Sequence, residues 1–317
     1  MTFHRRRDSA IGYSADARWP SERIPGDTWG PMSSIAIGPD DNVWTFNRGL
    51  IPIQAYTQEG ELVKYWGQGG MFKLPHSLRF DDEGNLWATD VLMHTVRKFS
   101  LDGDLLMCIG IPDCPGADET HLNQPTDAAI ADNGDVYIAD GYGNSRIVVF
   151  DGSGKYLRSW GGLGASAGEF NLPHSVALDS QGHVYVADRN NARVQIFNAK
   201  GAPVSEWTNI ITPWHITITS KDEVFVCGSS PMLWSETPDT EPCLGLPPKD
   251  QLFMKLDALG RLHQLWCIPK GEDGRERPGE VNWLHTMALG NGGSLFLGDI
   301  KGKRAMKFVR ADSSARS

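Results

Sequence analysis

Apolar and polar positions in this chain alternate in short runs, without the spacing of an amphipathic helix. The pattern is sharpest at 172–197, LPHSVALDSQGHVYVADRNNARVQIF. A short apolar run opens the unit and a Gly turn follows. A second run ends in Asp, and a polar bend leads into a third run. Period-two stretches of Val, Ile, Ala and Tyr broken by Gly, Asp and Asn predict strand–turn–strand. The unit recurs at 74–99 and 124–150, with fainter copies at 32–49, 213–227 and 284–308.

The copies align on the residue that opens the first strand: Ser33, His76, Thr126, His174, His215 and His285. The aromatic of the second strand follows 11 positions later at Trp44, Trp87, Tyr137, Tyr185 and Phe296. The fifth copy, from His215 to Phe225, is one residue shorter. Six units of roughly 40–50 residues have the period of a four-stranded propeller blade. The expected fold is therefore all-β: a six-bladed β-propeller forming one domain over 1–317. Its blades are expected at about 31–66, 74–110, 124–161, 172–207, 213–267 and 284–310. The last copy ends soon after its third strand. A strand from 11–19 is expected to complete that blade and close the ring, which removes an open sheet edge.

Composition narrows the function classes. Length alone, 317 residues, suggests about two domains, but the repeat overrides that. The net charge is −9 and the Lys and Arg residues are scattered, which argues against a nucleic-acid platform. The opening MTFHRRRDSAIGYS has charge but no apolar core, and no apolar stretch is long enough to span a bilayer. Five cysteines, an odd number without a CxxC, read as reduced thiols. A cytoplasmic protein with a small-molecule substrate is expected, with no nucleic acid or membrane partner. Long connections at 111–123, 229–250 and 268–282 read as lids or binding loops, or as tolerated insertions. The Pro-rich middle one carries Trp234, and 311–317 are expected to be disordered.

In a propeller, the first strand of each blade lines the central channel. The start of strand one and the end of strand two open on the same face. Four of the six opening positions are His, from nine His in the chain. His76, His174 and His285 belong to blades two, four and six, about 120° apart round the axis. Three inward imidazoles can hold one divalent metal and leave a position open for substrate. The alternative is a stack of channel histidines bonded to water. His215 follows Trp214 and is expected not to be a ligand. A substrate contact or a core position are the readings left open for it. Strand two ends in a recurring Asp, at 90, 140, 188 and 299, that suits a structural acceptor in the bend. The residues after this position vary, and there Arg48, Tyr142 and Arg189 would face the metal. A Tyr beside a divalent cation can act as a base. An Arg can hold a carboxylate by two parallel hydrogen bonds.

The repeats resemble NHL repeats. More narrowly, LPHS at 74–77, QPTDAAI at 124–130, ADGYGNSRIVVF at 139–150, FNLPHSVAL at 170–178 and VADRNNARVQIF at 186–197 are similar to peptidyl-α-hydroxyglycine α-amidating lyase. That family catalyses the second half-reaction of peptide C-terminal amidation. The resemblance is strong over roughly 31–200 and weak over 208–317. It implies zinc held by His76, His174 and His285, with Tyr142 as the catalytic tyrosine and Arg48 and Arg189 as the active-site arginines. It also implies a structural calcium bound by the carbonyls of Ile35 and Leu78 and the side chain after the third His. That side chain is Thr286 here, where the family has Asp. Trp283-Leu284 replace the family's Met-Pro, and Trp283 would narrow the pocket against the substrate. Gly143 and Asn123 stand where secreted members carry a disulfide. The expected activity is metal-dependent cleavage of the C–N bond of an α-hydroxyamide, a carbinolamide, to an amide and an aldehyde. A metal-dependent hydrolase or hydratase on the same site and a non-catalytic NHL binding propeller are the alternatives. Three histidines suit iron, cobalt or manganese as well as zinc.

Overall fold

The computed structural model describes residues 12–230 and 250–310. The opening residues 1–11, the tail 311–317, Trp234 and nearly all of the 229–250 insertion lie outside the described residues. The described chain forms six four-stranded antiparallel sheets arranged as a propeller. Blade one comprises Met32–Ile37, Val43–Asn47, Ile53–Tyr56 and Leu62–Trp66. Blade two comprises Pro75–Phe80, Leu86–Asp90, Thr95–Phe99 and Leu105–Ile109. Blade three comprises Asp127–Ile130, Val136–Asp140, Arg146–Phe150 and Tyr156–Gly161. Blade four comprises Pro173–Leu178, Val184–Asp188, Arg193–Phe197 and Pro203–Trp207. Blade five comprises Thr212–Ile218, Val224–Ser229, Gln251–Leu256 and Leu262–Ile268. Blade six comprises Leu284–Leu289, Leu295–Asp299 and Arg304–Arg310, and Tyr13–Asp16 supplies its outer strand. Among the described residues, no helix is long and apolar enough to cross a membrane.

The sequence of each strand explains its place in its blade. Second strands are buried along their whole length (VWTFN, LWATD, VYIAD, VYVAD, LFLGD), so both faces must be apolar. Fourth strands such as LVKYW and YLRSWG alternate, with one face toward solvent. The core consists of apolar layers between neighbouring blades. Trp44, Phe46, Leu86 and Phe99 fill the gap between blades one and two. Tyr185, Val194, Val226 and Met254 fill the gap between blades four and five. Trp19, Trp29, Tyr56 and Phe296 seal blade six against blade one.

Ring closure joins the two ends of the chain. Tyr13–Asp16 pairs antiparallel with the last strand in the register Tyr13 with Arg310 through Asp16 with Lys307. In an antiparallel pair, adjacent residues direct their N–H groups to opposite sides. One of Ser14 and Ala15 therefore donates into the ladder. The variant Ser14→Pro/Ala15→Pro removes that donor and should cost about 3 kcal/mol. A thermal melt should show a drop of roughly 5 °C. An unchanged melt would mean that this strand does not close the ring.

Candidate active site in the central channel

The inner strands of five blades carry an irregularity that aims one side chain down the axis. The register of the inner strand against its neighbour shifts between Met32 and Ser34, Pro75 and Ser77, Pro173 and Ser175, Pro213 and His215, and Leu284 and Thr286. The residue skipped at each bulge is Ser33, His76, His174, Trp214 or His285. Thr126 holds the equivalent place just before the inner strand of blade three. A bulge re-aims a side chain in this way, and all six of these residues line the channel. The structure corrects the sequence alignment in blade five. Trp214 stands in register with the histidines, and Trp214 to Phe225 restores the 11-residue spacing. His215 belongs to the next position along the channel, beside Arg79 and Thr217.

The three remaining channel histidines come together. The ring centroids of His76, His174 and His285 are 4.8, 5.0 and 4.9 Å apart, a nearly equilateral triangle. One ligand nitrogen from each lies within 4.8 Å of the other two. Each Nδ1 is held by a backbone carbonyl of the following blade. His76 bonds Thr126 O at 2.5 Å, His174 bonds Trp214 O at 2.6 Å and His285 bonds Ser33 O at 2.7 Å. A carbonyl only accepts, so each Nδ1 carries the proton and each Nε2 presents a lone pair. Burial lowers the affinity of all three rings for a second proton. The Arg189 guanidinium lowers it further in each, and His285 reaches about 3. His285 Nε2 is buried without a hydrogen-bond partner. Three neutral Nε2 atoms around one point, one of them orphaned, are a donor set that suits a divalent transition metal.

Tyr142 completes the layer. Its hydroxyl lies 3.1 Å from both His76 Nε2 and His174 Nε2. It sits on the short helical turn Gly141–Asn144, at the end of strand two of blade three. Burial pushes its phenol above the usual value, while Arg189 and Arg48 pull it down. Arg189 is fully buried. Its guanidinium lies 4.5 Å from the Trp214 ring and 5.6 Å from the Tyr142 ring. Arg48 donates from Nε to Pro75 O at 3.0 Å. Trp283 packs edge-on to Trp214 at 5.2 Å, which gives one side of the mouth an aromatic wall. The structure thus brings His76, His174, His285, Tyr142, Arg48 and Arg189 together, with Trp283 beside them. It leaves His215 one step farther from the mouth.

The recurring Asp holds this mouth in shape. Asp140 accepts from Asn123 N, Asn144 Nδ2 and Arg146 Nε at 2.8, 2.6 and 2.9 Å. Asp188 accepts from Asn171 N, Asn191 Nδ2 and Arg193 Nε at 2.7, 2.8 and 2.7 Å. Asp90 accepts from Leu74 N and Leu92 N, Asp299 from Asn282 N and Trp283 N, and Asn47 from Gly30 N and Gly49 N, so each ties its own blade's entry segment to the bend. Gly143 and Asn123 do face each other, joined by Gly143 N to Asn123 O at 3.0 Å. Cys108, Cys114, Cys227 and Cys267 are free thiols.

Sequence reasoning missed Trp214, whose carbonyl fixes His174 and whose ring supports Arg189. The constant spacing to Phe225 was the signal that could have found it. Burial pushes the Asp140 carboxyl above the usual range, and its donors only partly offset this. Its worth is therefore geometric, yet its loss would leave the Arg146 charge held only by the carbonyls of Ala117, Asp118 and His121. Asp140→Ala should lower stability by about 3 kcal/mol, whereas Asp140→Asn, which keeps an acceptor, should lose less. Denaturant melts of the two variants check this. No loss in either variant would mean that the carboxylate does not organise the Tyr142 turn.

Comparison with known proteins gives the same picture of the chain. The NHL repeat model matches residues 122–150 and 170–197. Peptidyl-glycine alpha-amidating monooxygenase B of Xenopus laevis is 31% identical over 334 residues, covering 95% of this chain and 36% of that protein. Peptidyl-alpha-hydroxyglycine alpha-amidating lyase 2 of Drosophila melanogaster is 34% identical over 206 residues, covering 56% of this chain and 49% of that protein. The chain thus spans about a third to a half of the length of these curated relatives. Among solved structures, a streptogramin B lyase superposes with a TM-score of 0.63 at 14% identity, covering 94% of this chain and 98% of that one. At that identity the likeness shows the fold alone. The chain is an NHL-repeat six-bladed propeller that resembles the amidating lyases.

Proposed function

We propose that this propeller is a metal-dependent lyase that cleaves the C–N bond of an α-hydroxyamide of a small metabolite. The observation that carries this reading is the triangle of neutral Nε2 atoms with the Tyr142 hydroxyl between two of them. His76, His174 and His285 would hold the ion, and zinc is the expectation from the resemblance. When bound, such an ion supplies Lewis acidity that makes a nearby hydroxyl easier to deprotonate.

The protein's own groups account for the rest. Arg48 and Arg189 flank the phenol and offer donors for a carboxylate or carbonyl on the carbinol carbon. Stacking on Trp214 fixes the orientation of Arg189 before substrate arrives. Burial raises the Tyr142 phenol, while the charges of Arg189 and Arg48, and then the Arg189 hydrogen bond, favour the phenolate. As phenolate, Tyr142 takes the proton of the substrate hydroxyl. The C–O electron pair becomes the aldehyde C=O as the C–N pair leaves with nitrogen. The proton then passes from Tyr142 Oη to that nitrogen. R–CO–NH–CH(OH)–X thus becomes R–CO–NH2 and O=CH–X, with no water consumed. Trp214 and Trp283 wall one side of the mouth, which limits the bulk of the R group there.

An N-acyl-α-hydroxyglycine, offered to the zinc-loaded protein, should yield the primary amide and glyoxylate. Tyr142→Phe should retain zinc and lose roughly 10²- to 10⁴-fold in turnover. A free carboxylic acid as product in place of the amide would identify hydrolysis, and full turnover by Tyr142→Phe would remove the proposed base.

A further inference from the structure

The channel continues beyond the histidine layer. The next residues along the six inner strands are Ser34, Ser77, Asp127, Ser175, His215 and Thr286. Asp127 is the one acidic residue among the described residues that line the channel here. The guanidinium of Arg79, from the inner strand of blade two, reaches into this layer and grips it. Nε donates to Asp127 Oδ1 at 3.1 Å and Nη2 to Asp127 Oδ2 at 2.5 Å, a two-pronged ion pair. Nη1 lies 3.3 Å from His215 Nε2, and Nη2 lies 3.3 Å from Ser175 Oγ and 3.5 Å from Ile216 O. Arg79 of blade two therefore touches blades three, four and five. Asp127 carries the network on, accepting from Ser175 Oγ at 2.7 Å and Val176 N at 3.1 Å. The pair is well shielded, with side-chain exposures of 19% for Arg79 and 2% for Asp127.

We infer that Arg79 is the internal structural cation of this propeller and that the channel does not hold the calcium implied by the resemblance. The residues do not fit the calcium implied by the resemblance. Calcium prefers several oxygens, carboxylate among them. Thr286 offers only a hydroxyl, which accepts the Ile35 N–H at 3.4 Å. Ser34 Oγ likewise accepts the Leu78 N–H at 3.0 Å. The layer's carboxylate, Asp127, is already held by Arg79. The charge count agrees: a dication with one carboxylate carries one net positive charge, and so does a guanidinium with a hydroxyl. This inference concerns the fold and does not depend on the reaction proposed above.

The test is thermal stability. Protein stripped of metal with EGTA and reloaded with zinc should melt at the same temperature with or without added calcium. Arg79→Met, which leaves Asp127 buried and unpaired, should melt roughly 5–10 °C lower. Arg79→Met/Asp127→Asn should recover part of that loss, because no lone charge remains. Arg79→Met/Thr286→Asp should gain a melting temperature that rises with calcium, since the dication then has a carboxylate and an open channel. A calcium-dependent rise of several degrees in the parent protein would overturn the inference. An unchanged melt for Arg79→Met would also overturn it. The parent measurement decides the matter even if the variants fail to fold.

Discussion

The candidate site depends on one set of hydrogen bonds, from the Nδ1 of His76, His174 and His285 to a carbonyl of the next blade. The carbonyls belong to Thr126, Trp214 and Ser33, at the bulged or equivalent position of blades three, five and one. The six blades thus divide into two alternating sets. Even blades supply imidazoles, and odd blades supply the backbone that fixes their tautomer and direction. A carbonyl cannot be mutated away, so the three lone pairs face the axis as long as the ring stays closed. Closure in turn rests on the strand Tyr13–Asp16 that completes blade six. The site is thereby coupled to the whole ring, although its atoms lie within a few ångströms of one another.

Around this centre the mouth separates framework from chemistry. The Asp at the end of strand two binds backbone N–H groups and a nearby Arg or Asn, and it recurs in four blades. It fixes the bend without facing the site. The residues just after this position are then free to differ, and Arg48, Tyr142 and Arg189 are placed there. Deeper in the channel, Arg79 and Asp127 join four blades through one part-buried ion pair. The propeller therefore has two central layers, one built to offer lone pairs and one already charge-balanced.

Much of this was legible in the sequence because the propeller repeats. Strand periodicity, Gly turns and the constant step to an aromatic set the blade count and most of the strand positions. The candidate residues His76, His174, His285, Tyr142, Arg48 and Arg189 were singled out by their phase within the repeat, and the fold gathers them at one mouth. The misplacement of His215 came from aligning on residue type where the spacing should have governed. Trp214 occupies the bulge and keeps the 11-residue step to Phe225. The carbonyl partners were not legible, because any residue supplies a carbonyl and side-chain identity carries no trace of it. The Arg79–Asp127 pair was hidden for another reason. The two lie 48 positions apart in neighbouring blades, and only the closed ring brings them together.

The most direct test of this account is elemental analysis of purified, tag-free protein beside the His76→Ala/His174→Ala variant. The account predicts about one equivalent of a divalent transition metal in the parent and none in the variant, with both folded. No metal in the parent even after incubation with zinc, or equal metal in both proteins, would contradict it.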